Sequence, residues 1–292
     1  MRRVKNPNKL AFNKMSISKR ILTNENIAIK NCKHGIFTFL INDSFVSKSL
    51  DLYGEWCEPE LALLSNFIFP NSVVIDAGAF IGTHTIAFAK MAGSHGFVVA
   101  FEPQRIIYNT LCGNVSLNNL LNVKCLNAGL SDVSGKAFVP LLDPSVKQNF
   151  GGFGMDKFTK GEPIPVMTID ELNLRACTLI KADVEGMEAK ILIGGVKTIK
   201  RFRPTIYVEN NREGTTSKAL IKTLLNLKYE CWWHFLEYYN PDNFFKNKEN
   251  VFAEIYPEAN MICIPKERKV KVKGSVKVLG VSDNWKKAMD RL

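Results

Sequence analysis

The 292-residue chain is 46% hydrophobic, 10% aromatic and 23% charged, a globular composition that excludes a disordered, collagen-like or coiled-coil protein. Its formal charge of +11 sits at the two ends: residues 1–30 carry a net +7 and residues 266–292 a net +6, which leaves −2 for everything between. No apolar run approaches the ~18 residues of a membrane span, and the charged start lacks the apolar core of a secretory signal.

A nucleic-acid enzyme would place its positive field over the active face. The near-neutral body argues against such a partner, and the basic ends read as solvated segments or as contacts to an anionic surface. Seven cysteines, an odd number with no Cys-x-x-Cys pair, predict free thiols in a reducing, cytoplasmic setting.

In chain order, Val73-Val74-Ile75 reads as a buried strand and 83–91 as a helix ending near Gly93. A second strand over 97–101 and a helix over 105–117 follow, then a third strand over 123–126. The stretch 140–166, with Gly151, Gly152, Gly154, Gly161 and four prolines, breaks the pattern and predicts an irregular lid or binding loop. A fourth strand over 178–182 leads to a helix over 188–194, and a fifth over 205–208 to a helix over 217–227. The aromatic segment 229–264, with Trp232, Trp233, Phe235 and Tyr238, supplies a final antiparallel pair and either part of an acceptor pocket or plain core. Short strands, apolar throughout and separated by helices, predict an α/β, doubly wound and mostly parallel sheet covered on both faces.

Four motifs carry chemistry. The first, Val73-Val74-Ile75-Asp76-Ala77-Gly78-Ala79-Phe80-Ile81-Gly82-Thr83, runs a buried strand through a glycine turn into a helix. Glycines permit a tight turn and close ligand approach, and the helix N-terminus offers free N–H groups. Phe80 stands where a dinucleotide binder needs its second glycine, and Asp76 repels phosphate but suits an ammonium group. The second is Glu102, 20 residues after Gly82, where an acid accepts ribose hydroxyls. Asp76, Gly78, Gly82 and Glu102 together favour S-adenosylmethionine over a dinucleotide. The third, Lys181-Ala182-Asp183-Val184-Glu185-Gly186-Met187-Glu188, clusters polar groups at the carboxyl end of the fourth strand, the edge where such sheets bind ligands. The fourth, Val208-Glu209-Asn210-Asn211, ends the fifth strand. Asp183, Glu209 and Asn210 on neighbouring strand ends can hold a Mg²⁺, or equally hydrogen-bond a sugar-like substrate.

With these motifs the stretch 35–265 resembles the FkbM family of S-adenosylmethionine-dependent methyltransferases. The matching pieces are Tyr53-Gly54-Glu55-Trp56, the glycine turn, Phe101-Glu102-Pro103, 114–118 and Gly129-Leu130-Ser131-Asp132. They continue with Thr168-Ile169-Asp170-Glu171-Leu172, 180–192, and 203–210 beginning Arg203-Pro204. Phe80 departs from the asparagine that the family often carries there. The resemblance implies a class I, Rossmann-like fold with a methyltransferase domain over 51–265. A basic segment with short strands (1–50) precedes it and a basic tail (266–292) follows.

The resemblance implies O-methylation of a hydroxyl on a sugar, glycan or related natural product. It assigns Asp76, Gly78 and Gly82 to the methionine part of the donor, Glu102 to its ribose, Gly129 and Leu130 to its adenine, and Glu55 with Glu58 to a closure over the methionine end. For the chemistry, Asp183 is the first candidate as base or metal ligand and Glu188 the second. Lys181 orients an oxygen rather than acting as base, since a base role needs a strongly lowered pKa. His84 can face the donor and His234 the acceptor, while His34 and His95 fall in loops. Two other function classes stay open at this level: an NAD-dependent oxidoreductase of similar topology, and a nucleic-acid or membrane-surface module working through the basic ends.

Overall fold

A computed structural model describes residues 19–292. Arg2, Arg3, Lys5, Lys9 and Lys14 of the basic N-terminal segment therefore lie outside the described residues.

The chain opens with a three-stranded antiparallel sheet of β1 (Leu22–Thr23), β2 (Ile27–Cys32) and β3 (Gly35–Leu40), followed by helices α1 (Val46–Tyr53) and α2 (Glu58–Leu64). The main body then alternates β4 (Val73–Ala77), α3 (Thr83–Ala92), β5 (Phe97–Phe101), α4 (Arg105–Leu117) and β6 (Val123–Leu126). An insertion carries β7 (Gly129–Leu130), β8 (Gly135–Val139) and β9 (Glu162–Met167), which form a small sheet of order β7-β9-β8. The body resumes with β10 (Leu179–Ala182), α5 (Glu188–Ile193), α6 (Val196–Phe202), β11 (Thr205–Glu209) and α7 (Thr215–Asn226). It closes with β12 (Tyr229–Leu236), β13 (Glu258–Pro265), β14 (Val276–Lys277) and α8 (Trp285–Met289).

The main sheet has the order β14-β12-β13-β11-β10-β4-β5-β6. Its centre is parallel from β6 to β11, and β13, β12 and β14 complete it antiparallel. This is the doubly wound α/β sheet with a final antiparallel pair that the sequence predicts. The strands read as continuous apolar runs because both faces are covered. One face buries Ile75, Val99, Ile180 and Ile206 against Ile191, Ile199, Leu220 and Leu224 of α5, α6 and α7. The opposite face buries Val74, Val98, Leu179 and Tyr207 against Leu61, Leu64 and Phe88 of α2 and α3.

The chain leaves β4 in one direction toward β5 and β6, and later returns to β10 on the other side of β4. That reversal opens a crevice at the carboxyl ends of β4 and β10. The small N-terminal sheet roofs the neighbouring region. Asn114 on α4 accepts from the Thr38 N–H (2.6 Å) and donates to the carbonyls of Thr38 (2.9 Å) and Ile81 (2.8 Å), and Asn118 treats Ile36 the same way. Two side-chain amides thus satisfy the edge of β3 that no strand pairs.

Two regions differ from the sequence reading. The stretch 140–166 is irregular only in part: its end forms β9, and Phe150 is buried with its N–H donating to Asp43 Oδ1 (3.2 Å). The 266–292 segment packs onto the body, because β14 pairs with Trp232 and Trp233 and Val278 and Ala288 enter the core. Several of its charges are ion-paired, among them Lys277–Glu230 and Arg291–Asp283.

Candidate active site

The strand β4 ends in a turn whose tightness only glycine allows. Gly78 has φ +78°, and its N–H and that of Ala79 both donate to the carbonyl of Phe101 (3.1 and 2.9 Å). A side chain on Gly78 would meet the Asp183 carbonyl oxygen at 1.9 Å. The glycine therefore lets two neighbouring strand ends close on one another. Gly82, at φ +92°, precedes the first residue of α3.

Beside this turn lies a cavity of about 420 Å³. Gly78, Ala79, Phe80, Glu102, Gly129, Leu130, Lys181, Asp183 and Glu209 all border it, so the sheet gathers residues that are up to 131 positions apart in the chain. Asp76 sits directly beneath, fully buried, with Oδ2 accepting from the Thr85 hydroxyl at 2.5 Å.

Glu102 directly follows β5 and borders the cavity. Its carboxylate accepts from the Phe80 N–H (3.0 Å) and the Gln104 N–H (2.8 Å), which fixes its direction. Burial, with the Asp76 charge adding to it, pushes its pKa up to about 8. Phe80 itself adopts φ +49°, and its ring flanks the glycine-rich loop at Gly151.

The opposite end of the cavity is acidic. Asp183, Glu209 and Glu258 each bring one carboxylate oxygen within 4.8 Å of the other two. Lys181, 3% exposed, reaches Asp183 Oδ2 at 3.1 Å. Burial alone would lower the lysine, but the carboxylates of Asp183, Asp76 and Glu60 outweigh it and hold the ammonium above its usual range. It stays charged beside the Asp183 carboxylate. Burial, reinforced by Asp183 and Glu185, drives Glu209 well above the usual carboxylate range. Burial and the Asp183 and Glu60 charges push Glu258 up to about 8. An aromatic wall of Phe45, Trp56 and Tyr238 borders the same cavity, with Trp56 and Tyr238 rings 5.4 Å apart.

Some expected residues lie elsewhere. Glu188 is 2% exposed and stays out of the cavity; its Oε1 accepts from the N–H groups of Val184 (3.0 Å) and Gly186 (3.2 Å) and so shapes the 183–187 turn. Asn210 turns its amide toward Met261 Sδ (3.5 Å) and does not join Asp183 and Glu209; Glu258 takes the third position. Glu55 is buried away from the cavity, accepting from Asn240 Nδ2 (2.7 Å) and the Phe244 N–H (2.9 Å). Glu58 pairs with Lys33 (2.8 Å) and His34 (2.6 Å). His84 borders the cavity, 3.0 Å from Glu60, whereas His234 shares a hydrogen bond with the Tyr207 hydroxyl (2.9 Å).

Sequence reasoning missed Glu258 as a site residue. The signal was present: the expected final pair is antiparallel, so its second strand begins at the carboxyl edge of the sheet, and Glu258 is that first residue.

Residues 76–231, more than half of the chain, match the family described as the methyltransferase FkbM domain. The chain belongs to the FkbM methyltransferase family. A curated relative, Methyltransferase sdnD of Sordaria araneosa, is 38% identical over 66 residues, which is 22% of this chain and 25% of that protein. Among solved structures, a methyltransferase FkbM from Methylobacillus flagellatus KT is 20% identical at a TM-score of 0.46, covering 66% of this chain and 44% of the other. A SAM-dependent O-methyltransferase from Thermotoga maritima is 12% identical at a TM-score of 0.43, covering 85% of this chain and 86% of its own. M. jannaschii TYW2 in complex with AdoMet is 14% identical at a TM-score of 0.44, covering 84% and 89%. The chain thus spans less than half the length of the curated and FkbM relatives. Among the described residues, no helix is long and apolar enough to cross a membrane.

Proposed function

We propose that this FkbM-family chain transfers a methyl group from S-adenosylmethionine to a hydroxyl of a sugar, glycan or related natural product. One observation carries this reading: a glycine turn with a buried ribose-type acid and a cluster of carboxylates border the two ends of a single cavity.

In this reading the donor's methionine part lies along the Gly78 turn above Asp76. Its ribose hydroxyls donate to Glu102, whose oxygens keep lone pairs free beyond the two backbone bonds. Its adenine lies against Gly129 and Leu130. Asp183, which borders the same cavity, would then face the methyl group being transferred. The aromatic wall of Trp56 and Tyr238, which borders the same cavity as the acids, suits a ring with one apolar face and a rim of hydroxyls.

The reaction is an in-line displacement. The acceptor O–H proton passes to Asp183, the oxygen forms the new O–CH₃ bond, and the S–CH₃ bond breaks with its electron pair remaining on sulfur. Lys181, 3.1 Å from Asp183 Oδ2, holds the carboxylate in place. Because charge on sulfur disperses as the methyl moves, a cavity sheltered from water favours the transition state, and alignment supplies much of the rest.

The test is transfer of labelled methyl from S-adenosylmethionine to a panel of glycans and natural-product alcohols. D183N is expected to lower turnover by about 10²–10⁴-fold while S-adenosylhomocysteine still binds. A folded protein that gives no heat with either donor compound in calorimetry would overturn the proposal.

A further inference from the structure

The acidic end of the cavity gathers three carboxyl groups within 4.8 Å of one another. Asp183, Glu209 and Glu258 arrive from three different strand ends, after β10, at the close of β11 and at the start of β13. Lys181 contacts one of them, Asp183. Glu209 is 7% exposed, borders the cavity, and leaves Oε2 buried without a hydrogen-bond partner among the described residues; its Oε1 accepts from Asn211. A buried carboxylate oxygen with no donor, next to two further carboxylates, is a coordination position rather than a satisfied core group.

We propose that Asp183, Glu209 and Glu258 form a binding site for a hard divalent cation, Mg²⁺ or Mn²⁺. An all-oxygen, anionic donor set selects such ions over zinc or copper, which favour nitrogen and sulfur. The spacing fits. Ligand oxygens about 2.1 Å from an octahedral ion lie roughly 3 Å apart when adjacent and roughly 4.2 Å apart when opposite. Side-chain rotation closes the trio from its present limit of 4.8 Å. The remaining coordination positions face the cavity and are open to water or to acceptor oxygens. The catalytic use of the ion rests on the methyl-transfer reading: it would draw an acceptor hydroxyl to the Asp183 side and make its proton easier to remove. The site itself needs only the three acids.

Mn²⁺ binding to the full chain, followed by electron paramagnetic resonance, tests this directly, with S-adenosylhomocysteine calorimetry on the same preparation. One Mn²⁺ per chain is expected, displaced by Mg²⁺. D183N and E258Q are each expected to weaken it by about tenfold or more. E185Q removes a cavity acid that pairs with Arg212 and is expected to change affinity by less than about threefold. Asp183 is partly exposed, so D183N decides the matter even where E258Q does not fold. No Mn²⁺ bound at millimolar concentration, or binding indifferent to D183N, overturns the proposal. Heat with S-adenosylhomocysteine but no Mn²⁺ sinks the ion site alone, whereas Mn²⁺ without that heat sinks the donor reading and leaves the ion site standing.

Discussion

Replacing Gly78 with alanine is expected to damage both the fold and the donor site. The native φ of +78° costs an L-residue about 1–2 kcal/mol. The new methyl would lie 1.9 Å from the Asp183 carbonyl oxygen and 3.4 Å from Val184 Cγ1. Since contacts under 3.0 Å do not occur, the end of β10 must retreat by at least 1.1 Å, the step from 1.9 to 3.0 Å. Forcing such a shift in a packed site costs about 1–3 kcal/mol more, so the total is roughly 2–5 kcal/mol. A displacement of about 1 Å at a catalytic strand end also costs on the order of 10²-fold in rate. Gly274 provides the matched control, with φ +71° and nothing within 4 Å of the place an added methyl would occupy. G274A should show only the backbone cost. Urea unfolding reads the stability difference, and calorimetry with S-adenosylhomocysteine reads the donor site. G78A is expected to bind at least tenfold more weakly and G274A like the unmutated chain; equal binding by all three would refute the reasoning.

Other expectations follow from the same contacts. Glu102 holds its proton to about pH 8 in the fold but only to about 4.5 when unfolded. Its stabilisation is therefore full below 4.5 and lost as pH rises through 8. Scanning calorimetry of the ligand-free chain should show Tm falling between about pH 5 and 8.5, with a shallower slope in E102Q; an identical slope in E102Q would contradict the assignment. E188A strands the half-buried N–H groups of Val184 and Gly186 and should lose about 1–3 kcal/mol, with much of it restored in E188Q, which keeps an acceptor oxygen. If E188Q unfolds as readily as E188A in urea, that hydrogen-bonding role is wrong. E55A frees the 240–244 turn and should lower Tm while leaving S-adenosylhomocysteine affinity intact; a tenfold loss of affinity would return Glu55 to the donor site.

The sequence by itself determined the sheet and the glycine-turn half of the cavity. Apolar runs such as 97–101, short, β-branched and set between helical stretches, read as strands covered on both faces, and the Gly78 to Gly82 turn is a local backbone requirement written in consecutive residues. Glu102 was legible for the same reason, at a fixed distance beyond that turn. What only the tertiary structure decided was which acids meet. Glu188 lies three residues after Glu185, yet it turns back to hold its own loop. Glu258, 49 residues beyond Glu209, arrives beside it because β13 runs antiparallel to β11. Asn210 faces Met261 because successive residues at a strand end point to opposite sides. Local patterns fix turns and periodicity, but contact between distant carboxylates depends on strand order and direction, which no short stretch of the chain contains.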